Sequence, residues 1–200
     1  MSVSASDVKA LRDRTGLGFM DCKAALQETG GDLDEAEKYL RKKGLASSSK
    51  RSQRAASEGA VGAYIHMGGK IGVLLEVNCE TDFVARNADF QQLVKDIAMH
   101  VAATSPKVVS RDEVTPELLA QEREIYREQA LGQGKPENIV GKIVDGKMEK
   151  FYEENCLLEQ PFVKDTGISV KELIANHIAK IGENIVVRRF TRYALGEQSQ

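Results

Sequence analysis

Three cysteines and three histidines are the residues of this chain most able to do chemistry, and their spacing argues against it. Cys22, Cys79 and Cys156 lie far apart, with no Cys-x-x-Cys pair and no histidine at ligand spacing. Neither a disulfide framework nor a metal site is signalled, and a reducing, cytoplasmic setting fits best. His66, His100 and His177 have no partner fixed by the pattern, so structural or surface roles are expected of them. Two glycine-bearing stretches could bind phosphate. In QALGQGKPEN, Gly134-Lys135 would need a glycine at 129 and a hydroxyl residue after the lysine, but Gln129 and Pro136 stand there. The proline also removes a backbone donor where phosphate would need one. TGLGFMD follows Gly-x-Gly-x-x-Gly only as far as Asp21 and comes after a helix pattern instead of a strand. No catalytic residue, resident metal or cofactor is therefore assigned, and the pattern favours a protein that works by contact.

The stretch ETDFVARN, residues 80–87, is the place where contact could be made. It leaves the apolar run IGVLLEV (71–77), and Thr81 and Asp82 are residue types that open helices at surfaces. An aromatic at such a junction commonly packs inward. Alternatively, Thr81 caps a short helix whose first turn shows Asp82 and Phe83 together to a neighbour. Pattern alone leaves both readings open.

Two packing units joined by a linker must position these residues. Residues 1–44 read as three short helices. Ser4 or Ser6 opens the first, which carries Val8 and Leu11; the second starts near Met20 and stops at Gly30-Gly31. Asp32 and Glu35 open the third, which Gly44 is expected to end. Residues 45–58 are rich in Ser and Ala and read as a flexible or marginally helical linker. From Arg41 to Arg54 the chain holds six bases (Arg41, Lys42, Lys43, Lys50, Arg51, Arg54) and no acid, a solvated tether or else a patch for RNA or an acidic partner.

Residues 59–200 read as an α+β core with a small antiparallel sheet and several helices. Alternation at Val61, Ala63 and Ile65, and again at Ile71, Val73, Leu75 and Val77, predicts two strands joined by a two-residue turn at Gly68-Gly69. A helix follows with Phe90, Leu93, Val94, Ile97, Ala98 and Val101 on one face, ending before Ser105-Pro106. Thr115-Pro116 and Pro136 open two more helices. NCLLEQPFVKD reads as irregular, Ser169 and Glu172 open a further helix, and NIVVRRFTRYALG (184–196) is expected to pair with the hairpin as a third strand.

The charge balance, 28 basic against 30 acidic residues for a net of −2, gives no global attraction to nucleic acid or anionic lipid. No apolar run approaches the about 20 residues of a membrane span, and the N-terminal segment, with Asp7 and Asp13, lacks the apolar core of a secretory signal.

A long collinear series of segments resembles the bacterial elongation factor Ts family in its short form. TDFVARN after GVLLEVNCE carries the resemblance first. LRDRTGLGFMDCKAAL and GGDLDEAEKYLRKKG are similar to that family's N-terminal module of ubiquitin-associated type. EGAVGAYIHMGGKIGVLLEVNCETDFVARN, IAMHVAA and KIGENIVVRRFTRYALGE are similar to its core. The resemblance implies a guanine-nucleotide exchange factor for elongation factor Tu. It assigns Thr81, Asp82, Phe83 and Val84 to dislodging magnesium from Tu, with Phe83 exposed in the free protein, and Leu11, Thr15, Gly16, Met20 and Asp21 to docking on the same Tu domain. The sheet and its neighbouring helices would reach a second region of Tu. The longest family members carry a duplicated core and a coiled-coil insertion that are missing here, which leaves open the pairing of two copies. Direct nucleic-acid and membrane partners are not implied. An interaction adaptor built on the helical module is the alternative, but it leaves ETDFVARN idle.

Overall fold

A computed structural model describes residues 3–197, so the outermost ends of the expected module and core, 1–2 and 198–200, lie outside it. The fold is α+β, with helices and a small antiparallel sheet. Two compact units are present. The first runs to Gly62 and adds Glu76–Lys95 and Glu172–Val187; the second comprises Ala63–Leu75, Asp96–Lys171 and the chain from Arg188 on.

In the first unit, local signals set the helix ends. Helix α1 (Ala5–Thr15) starts where the Ser4 side chain accepts from the Asp7 amide and ends at Gly16, whose φ of 68° is left-handed backbone that favours glycine. Helix α2 (Phe19–Glu28) follows. Helix α3 (Leu33–Arg51) is capped by Asp32, whose Oδ1 accepts from the Asp34 and Glu35 amides at 2.9 Å each. Val8, Leu11, Cys22, Ala25, Leu26, Ala36 and Leu40 form the core of this three-helix set. Each large member contributes about 1.5–3 kcal/mol by leaving water.

Gly44 does not end α3. The helix continues through seven more residues of the expected linker, to Arg51. A glycine inside a helix costs about 1 kcal/mol relative to alanine, and tertiary contact offsets that here. Gly44 is buried, and a Cβ built on it would lie 3.5 Å from Ala179 of helix α8 (Val170–Ile181). One turn earlier, Arg41 pairs with Glu172 of the same helix at 2.7 Å. Two more of the bases are engaged within this unit, because Lys43 pairs with Asp21 at 3.3 Å and Arg54 with Glu80 at 3.4 Å.

Three strands, β1 (Glu58–Ile65), β2 (Ile71–Cys79) and β5 (Ile185–Ala194), form the main sheet in the order β1-β2-β5, and each contributes residues to both units. The expected two-residue turn is a longer loop. His66 donates its amide to the Ile71 carbonyl at 2.9 Å, enclosing residues 67–70, and Gly68 and Gly69 both take positive φ. Burial alternates along β2 with Val73, Leu75, Val77 and Cys79 inside. The alternating apolar residues of β1 are turned the other way: Val61 and Ile65 stand in solvent.

In the second unit, α6 (Pro116–Gly132) and α7 (Glu137–Asn155) form a helical hairpin around Ala130, Val140, Val144, Met148 and Phe151. Gly134-Lys135 is the turn between them, with Gly134 at φ 72°. The stretch expected to be irregular holds β3 (Pro161–Phe162), which pairs antiparallel with β4 (Asp165–Ser169), a strand that begins at its last residue. His100, on helix α5 (Ala88–Thr104), ties this pair down. Its Nδ1 accepts from the Val163 amide at 3.2 Å, and its Nε2 meets Gln160 Oε1 at 2.9 Å. Burial holds its pKa below the usual imidazole value, outweighing the Gln160 bond.

Candidate functional site: an exposed aromatic turn

Where β2 ends, the chain makes a single helical turn, α4 (Asp82–Ala85). Thr81 caps it from extended backbone (φ −129°, ψ 154°), its Oγ1 accepting from the Val84 amide at 3.3 Å. The Ala85 amide donates to the Thr81 carbonyl at 3.1 Å, and the Arg86 amide to the Asp82 carbonyl at 3.2 Å. Asn87 Oδ1 then accepts from the Asp89 amide at 2.8 Å as α5 begins. A turn this short is not stable alone; Val84 and Ala85 anchor it by burial.

With that side inward, the other side must face out. Phe83 is 78% exposed, and Asp82 beside it bonds Arg86 across the surface at 2.6 Å. The pattern left two readings of Phe83 open, and the structure selects exposure. An aromatic ring standing in water on a fixed turn beside a carboxylate has the composition of a contact site, since rigid aromatics make large contacts at low ordering cost.

The turn is gripped from the start of β5. Glu183 Oε2 accepts from the amides of Glu80 (3.1 Å) and Thr81 (3.0 Å), and its Oε1 accepts from the Thr81 hydroxyl at 2.7 Å. In return Glu80 Oε1 accepts from the Asn184 amide at 2.6 Å. The buried Asn184 side chain donates to the Arg54 carbonyl at 2.8 Å. Cys79 points its thiol at the Thr81 carbonyl, 3.2 Å away. Burial, then the charge of Glu183, pushes that thiol up to about 11, so it stays protonated at neutral pH as a donor.

The other expected site residues lie in the same compact unit, on the three-helix set. Met20 (71% exposed) and Asp21 face solvent at the start of α2, and so does Gly16. Thr15 is half-buried and bonds the Leu11 carbonyl at 2.8 Å while accepting from the Leu17 amide at 3.4 Å, which shapes the loop before α2. Leu11 is fully buried in the module core. It supports this surface from beneath and presents nothing to a partner, because it lies on the inward stripe of α1 with Val8. Phe19, 47% exposed beside Met20, was missed; the signal was an aromatic at the helix start next to a second large apolar residue. Helix α8 links the two places. Its Lys180 Cε lies 3.3 Å from where a Cβ on Gly16 would stand, and its Nζ pairs with Asp89 at 2.8 Å. That lysine holds the Asp89 carboxyl below its ordinary range.

Among the described residues, no group of His, Cys, Asp and Glu is arranged to hold a metal ion, and no helix is long and apolar enough to cross a membrane. The fold is α+β, and its exposed aromatic turn is held by charged side chains. Residues 34–197 match the family described as elongation factor TS. The chain is 62% identical over 195 residues to elongation factor Ts of Moorella thermoacetica, covering 98% of this chain and 96% of that protein. Elongation factors Ts of Geobacter metallireducens (61%) and Geobacter sulfurreducens (62%) align over 197 residues, covering 98% of this chain and 91% of each relative. The chain belongs to the elongation factor Ts family and is a translation elongation factor.

Proposed function

We propose that this chain acts by binding elongation factor Tu and promoting exchange of its guanine nucleotide, without a reactive group of its own. The observation that carries the reading is Phe83, exposed beside Asp82 on a turn whose backbone is fixed from both ends. An exchange factor needs contacts that favour the nucleotide-free state of its partner, and these weaken nucleotide binding by the factor by which nucleotide weakens the exchange factor's own binding. In this reading Phe83 wedges into the Tu nucleotide domain, Asp82 bonds alongside, and Tu's magnesium is displaced. The phosphates then lose their neutralising charge and leave more easily. Thr81 and Val84 set the direction of the wedge, one by capping and one by burial. Met20, Asp21, Gly16 and Thr15, with Phe19, supply the docking surface of the helical module, and Leu11 holds its shape.

A second surface is available on the sheet strands of the second unit, where Ile65, Leu74 and Tyr193 are exposed, followed by Leu195. It suits the second region of Tu or a second copy of this chain. The engagement of Arg41, Lys43 and Arg54 by carboxylates favours a structural role for the basic stretch over RNA binding.

Mixing the chain with fluorescent GDP, alone and with Tu preloaded with that GDP, tests the reading. The expected result is faster release from Tu and no saturable binding to the chain alone. Unchanged release from Tu, or micromolar GDP binding with Tu rigorously excluded, would overturn it.

A further inference from the structure

We infer that Glu183 is a positioning residue for exchange: it orders the turn at 81–84 before the partner arrives, so that Phe83 is presented ready to bind. The inference rests on the function proposed above and extends it to a residue one hundred positions away in the chain.

A carboxylate is an acceptor only, and Glu183 uses both oxygens on the turn. Oε2 takes the two consecutive amides of Glu80 and Thr81, and Oε1 takes the Thr81 hydroxyl. Donation to Oε1 fixes where the Thr81 hydroxyl hydrogen points. Its lone pairs are then turned toward the Val84 amide, the bond that closes the cap. The chain of dependence runs from Glu183 through Thr81 Oγ1 to the Val84 amide, and so to the direction of Phe83. Charge-assisted bonds of this kind are stronger than neutral ones. The base of Glu183 is itself fixed, since the next residue, Asn184, is buried, donates its amide to Glu80 and bonds the Arg54 carbonyl. The bonds of this clasp are made by Glu80, Thr81, Glu183, Asn184 and Arg54 and not by Phe83, so its effect on exchange passes through the turn.

Loss of the clasp should therefore raise the concentration of the chain needed for half-maximal exchange while sparing the maximal rate. The disordered turn must then be ordered on binding, but the contacts made once bound are the same. Phe83→Ala, in contrast, lowers the maximal rate.

The test compares Glu183→Ala and Glu183→Gln in the full chain. Glutamine keeps the size and one acceptor oxygen, but it brings a donor toward the Thr81 hydroxyl. In the free protein, hydrogen-exchange protection of the Thr81 and Val84 amides is expected to fall about tenfold or more in Glu183→Ala and by an intermediate amount in Glu183→Gln. Half-saturation for GDP release from Tu rises in the same order, with the maximal rate kept. In a Phe83→Ala background, the Glu183 substitutions should add almost nothing. Unchanged protection and half-saturation in the well-folded Glu183→Gln and in Glu183→Ala would overturn the inference, and so would an undiminished effect in the Phe83→Ala background. If Phe83→Ala itself retains full exchange, the functional reading fails instead, and the amide protection alone decides whether Glu183 orders the turn.

Discussion

Each unit of the molecule has a charged clasp that joins segments distant in sequence, and the two clasps end differently. In the second unit, Arg111 bonds Glu159 through Nε at 2.9 Å and Glu149 through Nη2 at 2.8 Å, and its guanidinium lies 4.3 Å from the Tyr152 ring centre. Both carboxylates raise the guanidinium above its ordinary range, Glu149 foremost, and Arg111 holds Glu149 below the usual carboxylate range. These charges end on one another and close a junction. In the first unit, Glu183 ends on the amides of Glu80 and Thr81 and on the Thr81 hydroxyl, and Glu80, besides pairing with Arg54, accepts the Asn184 amide; what they fix is a turn that projects an aromatic into water. Similar chemistry serves cohesion in one place and presentation in the other, and the difference lies in whether a large apolar side chain is left uncovered.

The sharpest way to break this comparison is Phe83→Ala, which should give the largest effect on exchange and almost none on stability. A buried phenylalanine changed to alanine costs about 3–5 kcal/mol, whereas a surface change stays within about 0.5 kcal/mol. If Phe83 is a hot spot, losing it costs 2 kcal/mol or more at the interface, or about thirtyfold in the exchange constant. Stopped-flow GDP release and urea denaturation on the same preparation measure both. A large loss of stability with exchange intact would make the turn another cohesive element.

Arg111→Met should behave in the opposite way. The methionine keeps an apolar stem against Tyr152 but removes every bond to Glu149 and Glu159. After allowance for solvent screening, since Arg111 is 37% exposed, a stability loss of roughly 1–2 kcal/mol is expected. Exchange per folded molecule should be unchanged. A drop in exchange at unchanged stability would show that the second clasp also presents a surface.

How much of this was legible in the sequence depends on the range of the interaction. Caps at Ser4, Asp32 and Thr115 and the alternation of β2 are local, and pattern finds them. The continuation of α3 past Gly44 depends on Ala179 and Glu172, more than a hundred residues away, so propensity gave the wrong stop. Alternation in β1 gives a period but not a sign, and it does not say that Val61 and Ile65 face outward. Phe83 was undecidable for a related reason. The direction of a one-turn helix is set by which of its residues find a core, here Val84 and Ala85. Glu183 carried no local signal at all.

A pH change should separate the units by a smaller amount. The folded pKa of His100 lies below the ordinary value near 6.5, chiefly through burial. The unfolded chain therefore binds the proton more readily. The stability contributed by neutral His100 is fully present above about pH 6.5 and declines as pH falls toward the folded pKa, by at most about 1.4 kcal/mol per pH unit. Protonation puts a hydrogen on Nδ1 against the Val163 amide, so protection of that amide, corrected for intrinsic rate, should weaken as pH falls below about 6.5 toward the folded pKa. Protection of the Val84 amide should not. Equal weakening at both amides would mean that acid acts on the whole molecule and not through His100.

The smallest effect on stability, and the finest test of presentation, belongs to Asp82. Its bond to Arg86 is short, but the two side chains are 62% and 80% exposed, so the pair contributes a few tenths of a kcal/mol at most. Neither Asp82→Ala nor Arg86→Ala should move the urea midpoint appreciably. Their effects on the partner should differ in sign. If the Asp82 carboxylate bonds Tu beside Phe83, it must first leave Arg86, so Arg86→Ala removes a competitor and leaves exchange equal or faster. Asp82→Ala removes the contact itself. By linkage, the factor by which the chain weakens GDP binding to Tu equals the factor by which GDP weakens binding of the chain. Asp82→Ala should shrink both by the same amount, measured by calorimetry on the three pairs at fixed salt and magnesium. Equal losses in Asp82→Ala and Arg86→Ala would show that the pair stiffens the turn as a unit, which would move Asp82 from the contact to the clasp.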